Sequence, residues 1–172
     1  MVMEEQKNTT ICFTGHRSQN LPWKFDESDY RYKKTYDILI KKLENYINLG
    51  KIHFISGMAL GFDTMCAKAV LKLREKYSNI TLECAIPCKD QESKWQKKDK
   101  LIYRDIVNRA DKVTILADSY TPWCMQNRNK YIVDNSSVII ALFNGSRGGT
   151  KNTIEYAKKM NREIDIIDVI YN

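Results

Sequence analysis

The stretch SVIIALF, residues 137–143, is almost wholly apolar and shows no alternation of polar and apolar positions. A strand of that kind must be covered on both faces, which excludes a sheet with one wet side. Similar runs recur at TICFTG (10–15), KIHFIS (51–56), NITLECAIP (79–87), DKVTILA (111–117) and REIDIIDV (162–169). Helical patterns lie between them. In residues 30–50, Tyr32, Tyr36, Leu39, Leu43, Tyr46 and Ile47 fall at helical spacing, and Gly50 supplies a stop. Further helices are expected over 63–77, 93–110, 124–136 and 150–161. Buried strands alternating with helices predict a parallel sheet, and right-handed crossovers place helices on both of its faces. The fold class is therefore α/β, a Rossmann-like, doubly wound, mostly parallel sheet. No linker or repeat interrupts the alternation, so residues 1–172 read as a single domain, with 1–9 a loose N-terminal tail.

Ligands of such sheets bind beyond the carboxyl ends of the strands, and that rule selects five loops. TGHR (14–17) offers Gly15 for a tight backbone path, Arg17 as a planar phosphate fork, and His16 as a donor or a group titrating near neutrality. It reads equally as a tight turn with exposed polar side chains. SGMALGFD (56–63) ends a strand at Ser56 and Gly57 and starts a helix after Gly61. Asp63 there suits either a helix cap or a ribose clamp. In IPCKDQESKW (86–95), Gln91, Glu92 and Trp95 follow a strand-ending proline, and Trp95 stacks on a base or covers the core. Arg128, Asn129 and Asp134 lie on a helix expected to bury Met125, Tyr131 and Ile132, with an intrahelical Arg128–Asp134 pair as the simplest account of two of them. In NGSRGGTKNT (144–153), Gly148 and Gly149 flank the start of a helix whose first turn carries Thr150 and Thr153. This is the best phosphate cradle in the chain, although it lacks the GxxxxGK[ST] pattern.

Composition narrows the partners. A net charge of +7 favours anionic ones, but the lysines are spread over several helices and KWQKKDK (94–100) is the only dense cluster. Nucleic acid is therefore possible but not favoured. Five scattered cysteines and two histidines argue against a zinc site, and no metal or cofactor is expected. No apolar run approaches the roughly 20 residues of a membrane span. The acidic, polar start MVMEEQKNTT does not read as a signal peptide, so a cytoplasmic location is expected.

Taken in order, these motifs resemble a known family. SGMALGFDT is similar to the SG-x-A-x-G-x-D signature of the SLOG superfamily, which groups the DprA/SMF proteins with the LOG phosphoribohydrolases. TGHR, IPCKDQESKW, MQNRNKYIVD (125–134) and GGTKNT (148–153) resemble its YpsA-like branch, whose function is uncharacterised. The resemblance implies a nucleotide or nucleotide-derived small molecule at the strand ends. Gly57, Gly61 and Asp63 would form one wall, Gly148, Gly149 and Thr150 would hold phosphate, and a homo-oligomer is plausible. LOG enzymes carry PGG-x-GT-x-x-E. Here Thr153 stands at the Glu position, and Glu155, two residues on, is rotated by about 200° along a helix. A sensor or sequestering module is thus the leading reading. A nucleotide N-glycosidic hydrolase using Asp63 with Glu92 or Asp134, and a single-stranded DNA-binding protein of DprA type, are the alternatives.

Overall fold

The computed structural model describes residues 1–172, the side chain of Val2 excepted. Its elements are α1 (Val2–Asn8), β1 (Thr10–Gly15), a single 3-10 turn (Ser18–Asn20), α2 (Tyr30–Asn48), β2 (His53–Ser56), α3 (Phe62–Arg74), β3 (Thr81–Ile86), α4 (Lys97–Arg109), β4 (Lys112–Ile115), α5 (Cys124–Asp134), β5 (Val138–Phe143), α6 (Gly149–Lys159) and β6 (Glu163–Asp168). The six strands form one sheet in the order β4-β3-β2-β1-β5-β6. Every neighbouring pair is parallel.

Side-chain alternation along the strands divides the core into two layers. Ile11, Phe13, Phe54, Leu82, Cys84, Ile140 and Leu142 point to the face covered by α2, α3 and α4. Cys12, Ile55, Ala85 and Ile139 point to the thinner layer beneath α5 and α6. β1 and β5 are buried almost throughout, as a doubly covered strand requires. The edge strand β4 is largely exposed and only four residues long, shorter than the expected 111–117, because it has one neighbour and little cover.

Local chemistry explains most boundaries. Asp29 caps α2 by accepting from the Arg31 N–H, and Gly50 leaves the helix with φ +91°. α4 starts four residues later than expected, because residues 88–95 close a series of i→i+3 turns instead, Gln91 N–H to Cys88 O, Ser93 N–H to Asp90 O and Trp95 N–H to Glu92 O. Residues 2–8, expected within a loose tail, form α1. Its last turn is tied down by the Thr9 and Thr10 hydroxyls, both donating to Gln6 O. The 18–29 loop is less polar than its composition: Leu21 and Trp23 are buried, and Trp23 Nε1 donates to Ile170 O. No helix among the described residues is long and apolar enough to cross a membrane.

The layered core makes a position-specific expectation. Ile140→Ala, in the fully buried middle of β5, should lower unfolding stability by about 3 kcal/mol. Ile166→Ala on the outer strand β6, where the side chain is 43% exposed, should cost less than about 1 kcal/mol. Urea midpoints of the two variants check the ordering.

Candidate functional site

The strand order reverses direction once. From β1 the chain steps outward through β2, β3 and β4, then returns to place β5 on the other side of β1. The crevice beyond the carboxyl ends of β1 and β5 is therefore the topological switch point, where open α/β sheets bind ligands. A recess of about 170 Å³ opens there, lined by residues including Thr14, Gly15, Arg17, Asn20, Asp63, Arg128, Asn129, Gly149 and Thr150. It shares Asn20, Gly149 and Thr150 with an adjoining hollow of about 380 Å³ that also takes in His16, Asn144, Ser146, Arg147 and Gly148. Together they form one polar trough along the first and fifth strand-end loops. Two larger grooves lie elsewhere, beside α3 and α4.

Three glycines allow this convergence. A Cβ on Gly15 would stand 2.5 Å from the Phe62 ring at the start of α3. A Cβ on Gly61 would stand 2.6 Å from the His16 carbonyl oxygen, at φ +106°. A Cβ on Gly57 would enter the Arg128 guanidinium. So the first loop lies directly on the second, joined by Phe62 N–H donating to His16 O at 3.2 Å. Met58, between the glycines, is fully buried and left-handed at φ 57°, a strained conformation that the surrounding contacts impose.

Arg128 is 4% exposed and Asp63 7%. Arg128 donates to Gly57 O and, through Nε, to Asn129 Oδ1 at 2.8 Å; its Nη1 lies 3.9 Å from Asp63 Oδ2. Asp63 also accepts from the Ala59 N–H at 3.2 Å. Ser56, fully buried, donates to Asp63 O and accepts from Met58 N–H. Burial pushes the Asp63 carboxyl up, against the opposing pull of Arg128, the Ala59 N–H and Arg17. Burial likewise lowers Arg128, more than Asp63 raises it. Both partners shift toward their neutral forms, so desolvation outweighs their mutual attraction. Asp63 is thus neither a free carboxylate nor the N-cap of α3; it braces the 57–63 loop and the guanidinium.

His16 is 6% exposed. Its Nε2 lies 3.0 Å from Asn144 Oδ1, which also accepts from the Ser146 N–H at 3.0 Å, while Asn144 Nδ2 donates to the Tyr171 hydroxyl at 2.6 Å. A backbone N–H can only donate, so the shared atom is the amide oxygen and His16 Nε2 carries the hydrogen. In the neutral ring Nδ1 is then an acceptor. Burial lowers the His16 pKa below its usual 6.5, partly offset by the Asn144 bond.

The remaining expected residues separate. Gly148 turns the chain at φ +142°, and Gly149 and Thr150 open α6 with outward backbone N–H groups. Thr153 is buried and its hydroxyl donates to Gly149 O, so it does not face the trough. Ser56, Gly57 and Gly61 shape the wall from behind. Gln91 donates to Met58 O at 3.1 Å, a support of the second loop. Trp95 packs edge-on against Tyr103 over the core, and Glu92 lies 3.8 Å from Arg104; neither lines the trough. Asp134 does not pair with Arg128. It ends α5, toward the opposite edge of the sheet, and accepts from the Tyr156 hydroxyl. Met125 and Tyr131 are half-buried, because the face of α5 turned inward carries Cys124, Arg128, Ile132 and Val133. Asn20 and Asn144 escaped sequence reasoning. Asn144 directly follows β5 and had the strand-end rule to mark it; Asn20 sits in a 3-10 turn and had no signal.

Two measurements check this geometry. Arg128→Met should cost about 3 kcal/mol, because it strands a buried carboxylate. Combined with Asp63→Asn it should cost at least about 1 kcal/mol less than the sum of the single changes. For His16, the lowered pKa means the unfolded chain binds the extra proton first. Its stabilisation is present above pH 6.5 and is lost as pH falls through the folded value. The drop in melting temperature from pH 7 to 5 should therefore be smaller in His16→Gln than in the parent.

The chain is 33% identical over 139 residues to the uncharacterised SPbeta prophage-derived protein YoqJ of Bacillus subtilis strain 168, covering 73% of this chain and 81% of that protein. It is 28% identical over 158 residues to a UPF0398 protein of Halalkalibacterium halodurans, covering 89% and 82%. Its fold matches that of DNA processing protein A (DprA) from Streptococcus pneumoniae with a TM-score of 0.62 at 18% identity, over 94% of this chain and 50% of that one. The chain thus spans half the length of that DprA. DprA from Helicobacter pylori, solved for its single-stranded DNA binding mode, matches with a TM-score of 0.61 at 13% identity, over 96% and 67%. A family model described as the YspA SLOG family matches residues 11–170, and the protein belongs to that family, the YpsA-like branch of the SLOG superfamily.

Proposed function

We propose that the trough at the β1–β5 switch point binds a nucleotide or nucleotide-derived small molecule, which the protein senses or sequesters. One observation carries this reading: Arg17, buried Arg128 and the N-terminus of α6 converge on one recess. Arg17 and Arg147, both exposed along the trough, make no ion pair or side-chain hydrogen bond among the described residues. Guanidinium forks and outward N–H groups together favour a phosphate. The amides of Asn20 and Asn129, and the His16 ring with Nδ1 as acceptor, suit the donors and acceptors of a ribose or base. The +7 charge of the chain adds long-range attraction for an anion.

A binding role is better supported than hydrolysis. Paired-carboxylate chemistry needs a second acid facing the first across the substrate. Asp63 is committed to Arg128 and the Ala59 N–H, and Glu92 and Asp134 lie outside the trough.

The protein should be melted with a panel of mononucleotides, ADP-ribose derivatives and cyclic dinucleotides. A ligand at about 100 times its Kd adds roughly 2.7 kcal/mol, or about 5–10 °C for a domain of this size. At least one member should produce such a shift, be recovered intact by chromatography, and lose its effect in Arg17→Ala. Released free base would instead establish hydrolysis. A silent panel, together with salt-sensitive binding of single-stranded DNA, would replace the small-molecule reading with a nucleic-acid one.

A further inference from the structure

Three contacts hold the His16 imidazole and leave one of its atoms free. The Phe62 N–H donates to the His16 carbonyl at 3.2 Å, which fixes the main chain. The ring stacks on Phe143 at the end of β5, with centroids 6.4 Å apart and planes 24° from parallel. Its Nε2 donates to Asn144 Oδ1 at 3.0 Å. Asn144 is itself oriented from both ends: the Ser146 N–H donates to Oδ1, and Nδ2 donates to the Tyr171 hydroxyl. Tyr171 is anchored in turn, its carbonyl accepting from Arg31 Nη1 at 3.0 Å and the preceding Ile170 carbonyl from Trp23 Nε1 at 3.1 Å. Turning the ring over would set a carbon against Asn144 and lose the bond. The tautomer with its hydrogen on Nε2 is therefore set by the fold, and Nδ1 keeps a lone pair.

Among the described residues, no group of the protein uses that lone pair. His16 Nδ1 makes no hydrogen bond, yet the buried side-chain atoms without a partner are Thr35 Oγ1 and Gln91 Oε1. Nδ1 is therefore not sealed in the core. It opens on the hollow that His16 lines together with Asn20, Asn144 and the first residues of α6. The Arg147 guanidinium and the backbone N–H groups of Gly149 and Thr150 at the same hollow can only donate, which suits an anion. Nδ1 of the neutral ring can only accept, so the matching ligand group is a donor.

We propose that His16 is the specificity-determining residue of the trough: its Nδ1 accepts from a ribose hydroxyl, and the site thereby prefers ribonucleotides to their deoxy counterparts. The assignment rests on the reading of the trough as a nucleotide site. In such a ligand the phosphate goes to the outward N–H groups of α6, and the sugar is the part joined directly to it. The sugar hydroxyls are thus the donors that reach the same hollow, while a base amino group lies beyond the sugar. A deoxy ligand covers Nδ1 with carbon and leaves an acceptor stripped of water with no partner. That is the more costly of the two ways to lose a hydrogen bond.

The test has two parts, both on the full chain. The first needs no ligand: proton–nitrogen correlation spectra of the isotope-labelled protein, above neutral pH, read the His16 ring nitrogens. Hydrogen on Nε2 is expected, and hydrogen on Nδ1 would overturn the proposal whatever binds. The second titrates the protein calorimetrically with AMP, GMP, CMP and UMP and with their 2′-deoxy and 3′-deoxy forms. At least one ribonucleotide should bind about tenfold or more tightly than one of its deoxy forms. In His16→Phe, which keeps a ring on Phe143 but has no acceptor, that ratio should fall to near one. Should this variant fail to fold, the ratio in the parent and the tautomer decide together. Equal binding of ribo and deoxy forms, discrimination that survives in His16→Phe, or affinity that follows the base amino group would overturn the role of His16 and leave nucleotide binding standing. Silence of all four ribonucleotides while a cyclic dinucleotide binds would overturn this proposal alone, and silence of every nucleotide would overturn the reading of the trough with it.

Discussion

The Arg128 guanidinium, buried over the backbone of Gly57 and beside Asp63, is the contact around which the strand-end loops are arranged. It brings a charge from the fifth helix across to the loop after the second strand. Its cost is large, since taking two ions out of water is repaid only with good geometry and further hydrogen bonds. Here the further bonds are Gly57 O and Asn129 Oδ1 for the arginine, and the Ala59 N–H for the aspartate. An apolar pair of the same volume would stabilise the fold as well or better. Its presence at the switch point fits a site in which placing a cation matters more than stability.

The glycines make sense only against that contact. Gly57 leaves room for the guanidinium, Gly61 lets the second loop lie on the His16 carbonyl, and Gly15 accepts the Phe62 ring. Each removes a side chain from a place where backbone or another side chain must pass. The result is a two-loop floor closed by hydrogen bonds, with Arg17 and the start of α6 left facing outward. The loops are thus divided in labour: the second is structural and mostly hidden, while the first and fifth present groups to solvent. The motif that most identifies the SLOG family in this chain is largely the scaffold of the site, and much of its contact surface comes from the neighbouring loops.

Legibility in the sequence followed how local each cause was. The order of strands and helices was readable because a doubly covered strand and an amphipathic helix each write their own period. Arg17, Gly149 and Thr150 were readable because the strand-end rule needs only the position of a strand. Trp95, left open between a base and the core, covers the core, and Glu92 lies by Arg104 instead of in the crevice, because residues 88–95 turn back on themselves. Asp134 was misplaced because a helix of eleven residues spans the sheet, so its two ends serve opposite edges. Asp63 was seen but its partner was not, since Arg128 lies 65 positions away and no short-range pattern joins them.

By itself the sequence determined an α/β sheet with helices on both faces, the loops that reach its carboxyl edge, and membership in an ordered set of motifs. These depend on periodicity, composition and residues near one another in the chain. Only the tertiary structure decided that β5 crosses over to lie beside β1, creating the switch point, and that Arg128 is buried against Asp63. Each of these is a contact between distant segments, set by how strands pair and helices pack, and pairing energies of that kind leave no mark on the local order of residues.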